Sequence, residues 1–350
     1  MNFIALRLDE HDSSVCYSNG TSVKYYKPER HFQVKHFGYN NYQGWYYACS
    51  HLGIDISKVD AIAIVIDVFK HPYLQKENPN KLYEIIDIPY KPFRDFKCPI
   101  YRVDHHYAHS LSSWMLTDTK NHAVLDGFGD LKRSISIFKK NKLEKSFTYD
   151  QIESFGRFMG KMGYLLGLEG HVEDLAGKVM ALQSFGLEDK RWGDQIKQLN
   201  IEQSSFVFDV NNYVKLFKSE GVAKLNLINY LKTTHKFFEE KLPDFFKKYF
   251  KEDTLTYSGG VAHNVCVNTK LKNQFANIII PPHCADEGLT LGGIEFLRQH
   301  YDQPKFEVEN FPFWQTDIAP KRDASSKTIK SIAGDLANGE IIGWYQGHGE

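Results

Sequence analysis

Two features of this sequence predict an α/β fold of two similar lobes facing each other across a cleft. Residues 3–8 read as a strand that ends at Asp9 and passes through a polar turn into a strand meander. Residues 122–125 read as a strand that ends at Asp126 and does the same, about 117 positions later. A near-continuously apolar segment at 59–66 supplies the second feature, since parallel strands buried on both faces have that character. No residue-by-residue repeat joins the halves; what recurs is the architecture. It divides the chain into a first lobe (1–115), a second lobe (116–303) and a link into a further C-terminal segment (304–350).

Taken in order, the first meander is residues 3–8, 15–17 and 22–26, with Asn19 and Gly20 as a tight hairpin turn. Its opening turn carries Asp9, His11, Asp12 and Ser13. A helix is expected at 45–52, closed near Gly53, before the strand at 59–66. Residues 70–98, rich in Pro, Lys, Asn and Tyr, read as an irregular insertion, after which a strand at 99–103 leads to Asp104. The second meander is 122–125, 133–138 and 144–149, its first turn being Gly127, Phe128, Gly129 and Asp130. The glycine-rich stretch 151–186 contains an amphipathic segment at 176–182, and 190–253 read as polar helices that pack and carry no chemistry. A strand at 255–257 feeds a Gly-Gly turn, and one at 277–280 leads to Asp286 and a helix opened by Gly288. A helix at 326–337 and a buried strand at 340–344 come last, running into a Gly-rich turn that reads as an unfinished segment.

Composition narrows the function classes. With 350 residues, 42% of them hydrophobic and 25% charged, the chain can bury two cores. Lys plus Arg equals Asp plus Glu, so no bulk field calls for nucleic acid. Five cysteines are scattered without a Cys-x-x-Cys pair, and acidic residues interrupt the N-terminus before any signal-like apolar run. No apolar run reaches the roughly 18 residues a membrane span needs. A reduced, cytoplasmic setting without membrane contact is the expectation.

Four groups of residues have chemistry to offer. Asp104, His105, His106, Tyr107, Ala108 and His109 open an apolar run; in a helix His105 and His109 stand at i and i+4 and project from one face. Two neutral imidazoles so placed can hold a transition metal, or the segment is a helix start whose histidines cap and pack. The missing Glu after His105 excludes the His-Glu-x-x-His zinc pattern. Ser258, Gly259, Gly260 and Asn264 form a strand–turn–helix junction, where free backbone N–H groups can cradle a phosphate. Lys178 is a candidate phosphate contact or a solvated lysine. Asp286, before a Gly-opened helix, is either an N-cap or the hard ligand that completes a two-His set.

Together these stretches resemble the O-carbamoyltransferases of the nodulation and antibiotic-tailoring type, whose lobes are similar to the tRNA threonylcarbamoyl-transfer protein. The resemblance rests on residues 8–14, 104–109, 125–130, 176–182, 258–264, 286–292 and 343–350, in the family's order. It implies a duplicated fold of actin, Hsp70 and sugar-kinase type with a nucleotide cleft between the lobes. It also implies a divalent metal, typically iron, held by His105, His109, Asp126 and Asp286. Carbamoyl-adenylate would sit on the 258–264 cradle with Gly127, Gly129 and Gly292 lining the cleft, while His11 serves as general base oriented by Asp9. The implied reaction moves the carbamoyl group to an acceptor hydroxyl on a small molecule, sugar or nucleoside. The adenylate would come from carbamoyl phosphate and ATP on a C-terminal adenylate-forming domain, in cis or in trans. Asp130 stands where the family usually has Glu, and His263 where it has an apolar residue. The alternatives are a tRNA threonylcarbamoyl transferase, which lacks the Asp126-type and His11 turns, and a nucleotide-binding scaffold without activity.

Overall fold

The computed structural model describes residues 1–8, 11–39, 43–66, 81–86, 96–148, 154–192, 224–251, 254–308, 311–312 and 324–344. In the first lobe β1 (Phe3–Arg7), β2 (Ser14–Ser18) and β3 (Val23–Tyr26) form the antiparallel meander. β4 (Ala61–Val65) lies parallel to β1, and β6 (Ile100–Val103) parallel to β4. β5 (Tyr83–Ile85) closes that edge antiparallel to β6, a short strand within the stretch read as irregular. The second lobe repeats the plan: β7 (His122–Leu125), β8 (Arg133–Lys139) and β9 (Lys142–Thr148) form the meander. β10 (Leu255–Ser258) runs parallel to β7 and β11 (Ile278–Ile279) parallel to β10. The orders are β3-β2-β1-β4-β6-β5 and β9-β8-β7-β10-β11. Both sheets thus run third, second, first, fourth, next parallel strand. This is the duplicated actin, Hsp70 and sugar-kinase type of α/β fold.

The period of two along β1 and β4 sorts their side chains into different layers. Ile4, Leu6, Ile62 and Ile64 face one core, whereas Phe3, Ala5, Ala61 and Ala63 face another. The alanine face is shallow because a helix lies close on it. The helices are α1 (Pro28–Phe32), α2 (Gln43–His51), α3 (His105–Leu111), α4 (Phe155–Leu165), α5 (Val172–Leu182), α6 (Lys224–Tyr249), α7 (Val265–Gln274), α8 (Leu289–His300) and α9 (Ser326–Ala337). It is α8 that packs on β1, β2 and β4 and against α3. A Cβ at Gly293 would reach that of Ala5 at 3.0 Å, and one at Gly292 would overlap the Ala108 carbonyl.

Past β11 the chain packs α8 on β1, β2 and β4 of the first-lobe sheet. One expectation changes. Residues 340–344, read as a buried strand, have no regular structure: Ile341 is 98% exposed, and among the described residues no strand pairs with it. In the second lobe α6 covers the sheet with Tyr230, Leu231, Phe238, Leu242 and Phe246. Phe238 stacks on Phe155 of α4 at 3.6 Å between ring centroids.

Candidate metal and nucleotide site

Three chain segments bring two imidazoles and two carboxylates together at a cavity of about 740 Å³ between the lobes. Asp104 caps α3, its carboxylate accepting from the Tyr107 N–H at 3.1 Å, so the helix begins immediately after β6. That start places His105 and His109 one turn apart on the same face. Asp126 follows β7 directly, and Asp286 opens the short turn before α8. His105, Asp126 and Asp286 line the cavity, with His109 fully buried beneath them.

The two Nε2 atoms are 3.2 Å apart. Asp126 Oδ2 lies 3.0 and 3.1 Å from His105 and His109, and Asp286 Oδ1 lies 3.3 and 3.4 Å from them. Ligand bonds of about 2.0–2.2 Å set neighbouring donors roughly 3.0 Å apart in an octahedron and roughly 3.4 Å apart in a tetrahedron. The observed edges fit donors around one ion, and a two-imidazole, two-carboxylate set suits iron, manganese or zinc. Burial opposes charge on both imidazoles, yet the Asp286 and Asp126 carboxylates outweigh it and hold both above the ordinary histidine range. Burial likewise opposes charge on the carboxylates, which the facing histidines hold below the usual range. Metal binding at such a set would be coupled to release of protons from the histidines.

Neighbouring groups fix these donors. Arg7, at the end of β1, donates Nη2 to Asp286 Oδ2 at 2.8 Å. The Gly127 N–H donates to Asp126 Oδ1 at 2.6 Å, and that of Gly260 at 3.4 Å. Gly259 has φ +94°, and a Cβ there would overlap the Leu125 carbonyl, so only glycine lets this turn lie against β7. Gly127, Gly129, Gly260 and Asn264 all line the cavity. The Asn264 carbonyl caps α7 at Val267, and its amide donates at 2.8 Å to Nε2 of buried His235, whose Nδ1 pairs with Glu239 at 2.7 Å.

Other expected residues do different work. Ser258 is buried and donates to the His109 carbonyl at 2.9 Å, so it braces α3 and does not line the cavity. Gly292 is the helix crossing of α8 and α3. Lys178 is exposed, donates to the Glu169 carbonyl at 2.9 Å and is absent from the cavity wall. Asp9 lies outside the described residues; the carboxylate on His11 Nδ1 is Asp12, at 3.0 Å. Asp130 pairs with buried Arg102 at 3.1 Å, while burial beside Asp104 raises its carboxyl to about 6.

Arg7 and His235 were not singled out in the sequence, and Asp12 was named in its turn without the pairing to His11 that was expected of Asp9. His235 and Glu239 did carry a signal: they stand at i and i+4 on the apolar face of α6, among Leu231, Phe238 and Leu242.

The fold and the donor set define a two-lobe α/β protein with a metal-type site in its interlobe cleft. Residues 73–294, more than half of the chain, match the model of the carbamoyltransferase N-terminus family, and the chain belongs to that family. An uncharacterized protein of Methanocaldococcus jannaschii, MJ1051, is 30% identical over 54% of this chain and 39% of its own length. The nodulation protein NolNO of Sinorhizobium fredii is 22% identical over 97% of this chain and 56% of its own. The chain thus spans little more than half of these relatives at most. Among solved structures, HypF of T. kodakarensis superposes with TM-score 0.56 at 12% identity, covering 86% of this chain and 48% of that one. The activator of 2-hydroxyisocaproyl-CoA dehydratase from Clostridium difficile, with bound ADPNP, gives 0.50 at 11% identity, covering 87% and 98%. Among the described residues no helix is long and apolar enough to cross a membrane.

Proposed function

We propose that this chain transfers a carbamoyl group from carbamoyl-adenylate to an acceptor hydroxyl, with a divalent metal, iron in our reading, at His105, His109, Asp126 and Asp286. The observation that carries the reading is the convergence of these four donors within 4.8 Å, in the fold of a carbamoyltransferase family member. A metal bound there would act as a Lewis acid on the phosphate and carbamoyl oxygens and stabilise charge on the leaving AMP.

The chain's own residues supply the rest. Arg7 and the Gly127 and Gly260 amides hold the two carboxylates in place, and the nucleotide would lie along Gly127, Gly129, Gly260 and Asn264. The His11 Nδ1–H donates to Asp12, leaving Nε2 to accept a proton. The acceptor oxygen bonds to the carbamoyl carbon, its proton passes to His11 Nε2, and the carbon–oxygen bond to phosphate breaks, with AMP leaving with the electron pair. Burial opposes charge on His11, but the Asp12 hydrogen bond and the Asp286 charge outweigh it and raise its pKa. The base is free above that raised value, so transfer increases with pH through it. The adenylate would be made from carbamoyl phosphate and ATP by an adenylate-forming domain in cis or in trans.

The test is elemental analysis of anaerobically purified protein, followed by a transfer assay in which a separate enzyme generates carbamoyl-adenylate. We expect about one transition metal per chain, lost in His105→Ala/His109→Ala together with carbamate formation. A wild-type protein that takes up no metal, or a double variant that still transfers, defeats the proposal.

A further inference from the structure

Beyond the metal, the cavity wall contains a second run of charged groups, and it crosses from one lobe to the other. Asp12 accepts from His11 through Oδ2 at 3.0 Å and pairs through Oδ1 with His36 Nδ1, also at 3.0 Å. The other nitrogen of His36, Nε2, stands 3.3 Å from Asp174 Oδ1 in the first turn of α5. Lys35 pairs with that same Asp174 oxygen. The His36 ring stacks on His171 of the second lobe at 5.0 Å between centroids. Imidazole and carboxylate thus alternate: His11, Asp12, His36, Asp174. All four line the cavity.

Backbone contacts hold the first-lobe half of this run. The Ser13 N–H donates to the Phe37 carbonyl at 2.9 Å, the Tyr39 N–H to Ser13 Oγ at 2.9 Å, and the His36 N–H to Glu29 at 3.1 Å. Asp12 and His36 both have left-handed backbones, with φ of 50° and 54°. Non-glycine residues persist in that region where their surroundings over-determine them, and such positions gather at functional sites. Oxygen and nitrogen donors of Asp12, Glu29 and His36 also lie within 4.8 Å of one another. That triangle is not a cation site of its own. Lys27 and Arg30 already approach Glu29 at 3.7 and 3.6 Å and compete with any cation for its carboxylate.

We propose that His36 and Asp174 are positioning residues that act on His11 through Asp12, setting its tautomer and aim only when the lobes meet at this edge. The proposal rests on the reading of His11 as the transfer base. Asp12 bonds His36 at Nδ1, and Asp174 stands 3.3 Å from Nε2 as an ion-pair contact outside hydrogen-bond geometry. With both carboxylates in place, His36 holds Asp12 in the rotamer that receives the His11 Nδ1 proton. Should the lobes part, Asp174 leaves, His36 can turn, and His11 loses the partner that fixes Nε2 as its accepting nitrogen. The groups facing His36 are Asp12, Asp174 with its partner Lys35, Glu29 on its backbone, and the ring of His171, which also meets His11. The Asp12 hydrogen bond outweighs burial and raises His36 from the ordinary 6.5 to about 9. Its bridging charge therefore stabilises the closed edge fully below about pH 6.5, and this contribution is lost as pH rises through about 9. The amphipathic segment noted for Lys178 owes its place at the cavity to α5, which brings Asp174 there.

The experiment combines imidazole nitrogen NMR with steady-state kinetics on wild type, Asp174→Asn, His36→Gln and Asp174→Glu. In wild type we expect His36 to titrate near pH 9 and the His11 nitrogens to report a single Nδ1–H tautomer. Asp174→Asn should lower the His36 midpoint, mix the His11 tautomers and reduce kcat about tenfold or more, with KM for the nucleotide unchanged. Asp174→Glu should restore the tautomer and part of kcat. An Asp174→Asn protein in which the His36 midpoint and the His11 tautomer both stay as in wild type overturns the relay. A loss of nucleotide KM and kcat together, not rescued by Glu, reduces Asp174 to a structural residue and overturns it as well. If wild type shows no transfer, the proposed reaction fails, while the NMR arm still decides the relay.

Discussion

The turn after β1 and the turn after β7 hold equivalent places in two sheets of the same strand order, and they present different groups to the cavity. After β7 the chain delivers Asp126 straight onto the histidine pair, and the next amide, Gly127, holds its other oxygen. After β1 it delivers no described ligand. Arg7 reaches back to Asp286, and beyond it come His11 and Asp12. Both turns use non-glycine residues with positive φ just before the second strand: Asp12 at 50° ahead of β2, Leu131 and Lys132 at 59° ahead of β8. The two turns therefore share a backbone path and differ in the side chains they present: a carboxylate on the histidine pair after β7, and Arg7, His11 and Asp12 after β1.

Separate loss of metal and of turnover would sharpen that division most. Asp126→Ala should abolish metal binding, because it removes a shared carboxylate and leaves His105 and His109 facing Asp286 alone. His11→Ala should retain about one metal per chain and still lower kcat by about 10²- to 10⁴-fold, the range of a lost general base. Elemental analysis beside the transfer assay reads both. A His11→Ala protein that comes out metal-free would erase the distinction between the turns. Arg7→Met comes next. It leaves Asp286 buried without its guanidinium, for which about 3 kcal/mol of stability is the expected loss, with metal affinity down about 10- to 100-fold. Thermal melts with and without metal would separate the two: a variant as stable as wild type would show that the histidines alone satisfy Asp286.

Much of this division was legible in the chain, for physical reasons that differ by residue. Spacing of i and i+4 is enough to pair His105 with His109, because the helix itself sets the geometry. Apolar continuity in 59–66 was enough to place β4, because burial on both faces of a strand writes itself into the residues. Asp12, His36 and Asp174 were illegible as a group, since they meet across 24 and 138 positions through loops without periodicity. Arg7 was hidden inside a strand pattern, where a buried cation reads as an interruption until its partner Asp286, 279 positions away, is seen. The strand expected at 340–344 failed for the opposite reason: apolar composition describes a wish for a neighbour and not the neighbour itself.

Lys178 offers the smallest effect and a direct test of what local pattern can mislead about. A lysine after a glycine in an amphipathic segment looks like a phosphate hand, and the comparison between lobes invites it, since the first lobe places cations Lys27, Arg30 and Lys35 on the cavity wall. On α5, however, residues three and four apart share a face, and Leu175 and Val179 point into the core. Lys178 falls on the exposed side, tied to the Glu169 carbonyl, while Asp174 comes to the cavity. Lys178→Ala should therefore leave nucleotide affinity within twofold of wild type and stability within about 0.5 kcal/mol. A tenfold loss of nucleotide binding by calorimetry would mean that α5 turns its other face to the cleft when ligand arrives. Asp174 would then no longer face His36 in the loaded state.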